Sequence, residues 1–232
     1  MNRVFIGRDP RQPVSATVLA HSLAAHARSP LAITMLDLHH VPITRKGLTT
    51  FTFSRYMVPY LCDYEGLALF MDADMLARAD VNDLFKLMDR RHEVQVVKSP
   101  IRFEWPSLML FNCEKCTALD AAYVDDPATK PFALDWAFSI GDLPPEWNHC
   151  VGYGPRNPGA KVVHFTQGVP VWPQTAGSEF AEEWWASGKE AMGTCKWEEL
   201  MKDSIHNSAE IAPYKWHDVA TGKDLRTEGF AE

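Results

Sequence analysis

The pattern of apolar and polar positions in this 232-residue chain is that of an α/β protein. Val4-Phe5-Ile6 reads as a strand, stopped by Gly7-Arg8-Asp9-Pro10. From Val14 to Ala27, apolar residues at Val18, Leu19, Leu23 and Ala27 keep helical spacing up to the Ser29-Pro30 stop. Leu31 to Leu38 is a second strand. A β-α-β order with short joints predicts a doubly wound domain. His39 to Phe53 is a polar loop, and Ser54 is expected to cap a helix through Arg55, Tyr56, Val58 and Leu61 that Pro59 limits. Further on, Asp80 caps a helix with Val81, Leu84, Phe85 and Leu87 on its inner face. Val94 to Val97 and Leu108 to Phe111 are strands, Glu114 to Tyr123 is helical, and Val162 to Phe165 is the last strand. Leu143 to Asn148 holds two prolines and cannot be regular. After Ser178 the chain turns charged and Trp-rich, which predicts one or two amphipathic helices on the sheet and a frayed tail from Asp218.

The densest apolar run leads into chemistry. Leu67-Ala68-Leu69-Phe70-Met71 is followed at once by Asp72-Ala73-Asp74. Such a run suits an inner strand covered on both faces. In extended chain, residues two apart point the same way, so the two carboxylates are expected to project together from the strand end. There they form either a solvated strand end or half of a site for a hard divalent cation. Gly7-Arg8-Asp9 and His164 also end strands, and open α/β sheets bind ligands at the carboxyl ends of their strands. Asp72, Asp74 and His164 are a ligand set that Mn²⁺ accepts, although a histidine at a strand end also serves as a plain polar cap. Gly168, in the Gly-x-Pro-x-Trp segment to Trp172, allows close backbone approach beside such a site.

Composition narrows the partners. Hydrophobic residues make up 46%, so a full core is available, and a net charge of -7 gives no footprint for nucleic acid. No apolar run reaches the roughly 18 residues of a membrane span, and Met1 to Gly7 turns polar too soon for a signal peptide. Five scattered cysteines suit free thiols, and a cytoplasmic location is expected. Cys113-x-x-Cys116 lacks the second pair that a zinc site needs. The glutamates among Trp184, Trp185 and Trp197 favour packing on the sheet over contact with an anionic lipid surface.

Four segments in order carry a resemblance: the strand with Asp72-Ala73-Asp74, the upstream Ser54-Arg55-Tyr56 with Val58-Pro59, Leu143-Pro144-x-x-Trp147-Asn148, and His164-x-x-x-Gly168-x-Pro170-x-Trp172. The chain resembles GT-A-fold glycosyltransferases, in particular family 8 and its bacterial relatives, from about Arg3 to Trp172. The resemblance implies a Rossmann-like mixed sheet flanked by helices, with residues 1–177 as the nucleotide-sugar domain and 178–232 as a helical extension. It implies transfer of a sugar from a nucleotide diphosphate donor, often UDP-linked, to a glycan or other acceptor hydroxyl, with retention. Asp72, Asp74 and His164 would hold Mn²⁺ or Mg²⁺. Ile6, Gly7, Arg8, Asp9, Arg55, Ala73 and Gly168 would line the donor, and Asp135 would join Arg55 as a catalytic group. Two positions depart from the family pattern: Trp136 stands where Gln follows Asp, available to a sugar face or to the core, and Arg8-Asp9-Pro10 lacks a frequent Asn. The competing reading is a haloacid-dehalogenase-type phosphatase with Asp72 as nucleophile, but that class wants Thr or Val at the position of Leu76. A sugar nucleotidyltransferase would need a Gly-rich loop after the first strand, and a plain sugar-binding module would not need a metal pair.

Overall fold

The computed structural model describes residues 1–100 and 102–194. β1 (Asn2–Gly7) leads through α1 (Pro13–His26) to β2 (Leu31–Leu36), which pairs parallel with β1: the β-α-β unit that the sequence pattern predicts. Asp37 ends β2 early, because its side chain accepts from the backbone N–H of His39 and caps a 3₁₀ turn at Leu38–His40. A 3₁₀ turn at Ser54–Met57 and the single-turn α2 (Val58–Leu61) follow. Ser54 does not cap them: its hydroxyl donates back to Thr50 O at 3.4 Å, and the side chain is buried. β3 (Leu67–Asp72) is the central strand; β4 (Met75–Ala77) starts just beyond it.

α3 (Asn82–Phe85) has Val81 at its N-cap; the expected cap, Asp80, sits one residue earlier, where its Oδ1 accepts from the Asn82 N–H at 2.9 Å. Val81, Leu84 and Phe85 are buried there, whereas Leu87 lies beyond the helix and faces solvent. β5 (Val94–Val96) and β6 (Leu108–Asn112) come next. The helix expected over Glu114–Tyr123 splits into a 3₁₀ turn at Cys113–Lys115 and α4 (Ala121–Asp125). The break comes where the Asp120 carboxylate accepts from the Tyr123 N–H at 2.7 Å and starts a new helix. β7 (Ile140–Asp142), β8 (His149–Cys150), β9 (Val162–His164) and α5 (Ala181–Ala191) complete the described chain. Trp197 and the tail from Asp218 lie outside the described residues.

The main sheet has the order β2-β1-β3-β6-β5-β7. β1 runs parallel to β2 and β3, and β6 is antiparallel to both β3 and β5, so the sheet is mixed. Alternation along β3 sorts the core: Leu69 and Met71 pack with Ile6, Leu19 and Leu23 on one face, and Ala68 and Phe70 with Phe5, Tyr56 and Phe111 on the other. A second sheet, β4-β9-β8, brings His164 into register with Met75 on one side and Cys150 on the other. α5 packs on α1, and Trp184 is fully buried there with Val18.

Candidate active site

Asp72 is the last residue of β3 and the register partner of Gly7, the last of β1. Asp74 is not part of that strand. The chain turns at Ala73-Asp74 before β4, so the strand alternation does not aim the two carboxylates; the turn and the second sheet do. The Phe165 N–H donates to Asp74 O at 2.9 Å and fixes the end of β9 beside the turn. His164 Nε2 then lies 3.3 Å from Asp74 Oδ1. One potential ligand atom from each of Asp72, Asp74 and His164 falls within 4.8 Å of the others.

Electrostatics bind the group together. The His164 side chain is 3% exposed. Burial opposes its charge, but the Asp74 carboxylate outweighs this and holds the imidazolium well above its usual range. Asp72, with its side chain 15% exposed, is pushed up to about 7, first by burial and then by Asp74, against the pull of Arg55. Asp72 Oδ1 lies 3.1 Å from Arg55 Nη2, yet it is buried and receives no hydrogen bond from the described residues. A buried carboxylate oxygen left in that state is a costly feature that a bound cation removes. Two carboxylates and one imidazole, with the Asp74 side chain one-third exposed, therefore fit a hard divalent ion with open positions.

Arg55 is not the surface charge that most arginines are. Its side chain is 6% exposed, and its guanidinium carbon stands 5.4, 5.0 and 5.5 Å from the ring centres of Phe51, Phe70 and Phe132. Nη1 donates to Pro106 O at 2.9 Å and, more loosely, to Asp72 Oδ2 at 3.4 Å. Gly7 serves the same box: a Cβ there would fall 2.5 Å from Phe51 and 2.9 Å from Phe70.

The other expected residues are placed as follows. The Ile6 side chain is fully buried in the core, and Ala73 is buried beside it, so each can offer a ligand only its backbone. Arg8 reaches Asp37 at 3.6 Å and stays partly exposed. Asp9 is buried with both oxygens on the Arg11 guanidinium, which outweighs burial and keeps its pKa below the usual carboxylate value. Gly168 has φ +105°, a conformation that favours glycine, and its N–H donates to Phe165 O at the end of β9. Asp135 accepts from the Tyr123 hydroxyl and from the Lys130 N–H at 3.1 Å. It makes no hydrogen bond or ion pair with Asp72, Asp74 or His164. Trp136 is core: it is buried and stacks on Phe111 with ring centres 6.0 Å apart, so it offers no face to a sugar.

Two neighbours of His164 escaped the sequence. Glu104 Oε2 lies 3.8 Å and Cys150 Sγ 3.9 Å from His164 Nδ1. Burial, and behind it Asp74, raises the Glu104 pKa against the pull of His164. The signal that could have found Glu104 is its place just ahead of β6, but it helps only if β6 is known to run antiparallel to β3. Cys113 and Cys116 join no cluster of metal-ligating side chains among the described residues; the Cys116 thiol donates to Glu93 O and Asn112 O.

Comparison with known proteins bears directly on this geometry. Over 220 residues the chain is 30% identical to Protein CDI of Arabidopsis thaliana, an alignment that spans 78% of this chain and 84% of the plant protein. The chain belongs to the Protein CDI family. No family model matches it. Solved structures place the fold of this CDI-family chain. The bifunctional glycosyltransferase WbbM superposes with a TM-score of 0.64 at 16% identity over 88% of the chain, which spans about half (52%) of WbbM. The galactosyltransferase LgtC, in complex with donor and acceptor sugar analogs, gives 0.59 at 13% identity, covering 82% of the chain and 96% of LgtC. GlyE of Streptococcus pneumoniae gives 0.59 at 17%, covering 87% and 63%. At such identities the likeness shows the fold, and the fold is the GT-A type of these glycosyltransferases: a mixed sheet flanked by helices. No described helix is long and apolar enough to cross a membrane.

Proposed function

We propose that this protein is a metal-dependent glycosyltransferase that moves a sugar from a nucleotide diphosphate donor, UDP-linked in the first instance, to an acceptor hydroxyl such as that of a glycan. The observation that carries the reading is the convergence of Asp72, Asp74 and His164 at the strand ends of a GT-A fold. These three would hold Mn²⁺ or Mg²⁺. A cation there supplies a Lewis acid for the negative charge that grows on the departing diphosphate.

The chain's own residues would do the rest. Asp74, the more exposed carboxylate, faces the donor side. Asp72 is held in one orientation by the boxed Arg55, which makes Arg55 a positioning residue in this reading. Gly7, Arg8 and Asp9, with the backbones of Ile6 and Ala73, border the nucleotide, and Gly168 lets the chain after β9 come close to the diphosphate. Asp135 is proposed to hold sugar hydroxyls once its loop contacts are exchanged for substrate. Retention of anomeric configuration is proposed with it. Residues 1–177 form the catalytic unit in this reading; of the extension expected over 178–232, α5 packs on α1, and residues 195–232 lie outside the described residues. The four described cysteines are all unpaired, which supports a cytoplasmic setting. Nothing in the comparisons supports the phosphatase alternative.

The test is a thermal-shift series of nucleotide sugars with and without Mn²⁺, since stabilisation grows with ligand concentration over Kd. A UDP-sugar is expected to raise Tm only when Mn²⁺ is present, and to be hydrolysed slowly without acceptor. If no nucleotide sugar binds or turns over with Mn²⁺, the reading fails.

A further inference from the structure

His164 faces two different sets of donors. Its Nε2 looks toward Asp74 at 3.3 Å and, beyond it, Asp72. Its Nδ1 looks toward Cys150 Sγ at 3.9 Å and Glu104 Oε2 at 3.8 Å. The second set is built by the fold. Cys150 and His164 are register partners on the parallel strands β8 and β9, so their side chains leave the sheet on the same face. Glu104 comes from the turn before β6 and is buried, with Oε2 facing His164 Nδ1. Cys150 has only weak contacts, to Asn148 O at 3.7 Å and Asn148 Oδ1 at 3.9 Å.

We propose that Glu104, Cys150 and His164 form a second cation site, suited to a borderline-soft ion such as Zn²⁺. The donor types decide the ion. A thiolate, an imidazole nitrogen and a carboxylate, with the fourth place left to water, are a tetrahedral zinc set, whereas a thiolate is a poor ligand for Mn²⁺ or Mg²⁺. The geometry is close to that shape. Tetrahedral bonds of ordinary zinc length put sulfur and nitrogen about 3.6 Å apart, and nitrogen and oxygen about 3.4 Å apart. The observed separations exceed these by a few tenths of an ångström, within reach of small side-chain rotations. An approach exists as well: Cys150 lines an open pocket of about 390 Å³ with Asn148, Lys98, Ser99 and Tyr153. On binding, the Cys150 thiol and the His164 imidazolium each release a proton to solvent.

A neutral imidazole has one lone pair in its ring plane. If Nδ1 takes Zn²⁺, the neutral ring keeps its proton on Nε2, whose N–H donates a hydrogen bond to Asp74. If Nε2 takes a cation beside Asp72 and Asp74, Nδ1 must carry the proton and face Glu104. The neutral ring therefore serves one cation at a time, so Zn²⁺ on Nδ1 antagonises the hard-metal site. That consequence rests on the proposed function; the binding of Zn²⁺ does not.

The probe is Co²⁺ as a spectroscopic stand-in for Zn²⁺, titrated into the reduced 232-residue chain. A thiolate-to-cobalt charge-transfer band is expected, displaced by Zn²⁺, lost in Cys150→Ser, weakened in Glu104→Gln and retained in Asp74→Asn. Cys150→Ala serves as a second variant should serine disturb β8, with circular dichroism confirming the fold. No band in the folded wild type, or a band that survives both Cys150 variants, overturns the site. In nucleotide-sugar assays Zn²⁺ is expected to inhibit competitively with Mn²⁺, and Cys150→Ser to relieve that inhibition. Inhibition unchanged in Cys150→Ser refutes the antagonism. A chain that binds no nucleotide sugar yet gives the Cys150-dependent band retains the site and loses the transferase reading.

Discussion

Arg55 holds Asp72 from within an aromatic box, with Nη2 3.1 Å from Oδ1 and three phenylalanine rings around the guanidinium. The pair fixes one carboxylate of the candidate metal group without adding a group that reaches solvent. Arg55→Ala would leave the largely buried Asp72 without its cation, and breaking a buried pair costs about 3–5 kcal/mol. Arg55→Lys keeps the charge but loses the planar fork and the ring contacts, and is expected to fall between the alanine variant and wild type. Urea unfolding of the three proteins checks the order; an Arg55→Ala variant as stable as wild type would show that the box holds no strained charge.

Asp74 separates stability from chemistry. Its side chain is one-third exposed, so Asp74→Asn is expected to fold, less stable than wild type by the loss of its ion pair with the buried His164. Under the proposed function it would lose Mn²⁺-dependent stabilisation and turnover together. Retained turnover in this variant would mean that the carboxylates are structural.

Gly7→Ala tests the box from the other side. The added methyl meets Phe51 and Phe70, two of the three rings around Arg55. Overpacking of this kind costs about 1–3 kcal/mol. The expected outcome is a lower Tm that Phe51→Leu partly restores in the double variant, which a double-mutant cycle reads as coupling.

Asp80 carries a pH dependence away from the site. Burial works against its ionised form, but the Asn82 and Arg28 N–H groups and the Arg28 guanidinium outweigh burial and bring its pKa to about 2. An unfolded Asp titrates near about 3.9. Its contribution to stability is therefore fully present above that value and is lost as pH falls toward about 2. The stability gap between wild type and Asp80→Asn is expected to narrow over that window in urea unfolding. A gap independent of pH would place the effect in packing.

The sequence by itself determined the elements whose signal is local. The apolar run of β3 is legible because a strand buried on both faces needs side chains of that kind at every position. The β1-α1-β2 unit is legible from periodicity and stops, and Asp72 and His164 from their places at strand ends, with Asp74 in the turn just beyond β3. A local pattern carries no strand direction and no partner. The antiparallel pairing of β6 with β3, which sets Pro106 and Glu104 against Arg55 and His164, is a long-range event that periodicity does not encode. The same holds for β8, two residues long, whose pairing with β9 puts Cys150 beside His164. Trp136 reads equally as a sugar platform or as core from its neighbours in sequence, and Phe111 across the fold decides for core. The tertiary structure alone decided that the Asp-Ala-Asp pair is aimed by a turn and a second sheet. Its carboxylates are gathered by His164 and Arg55, residues 92 positions after Asp72 and 17 positions before it.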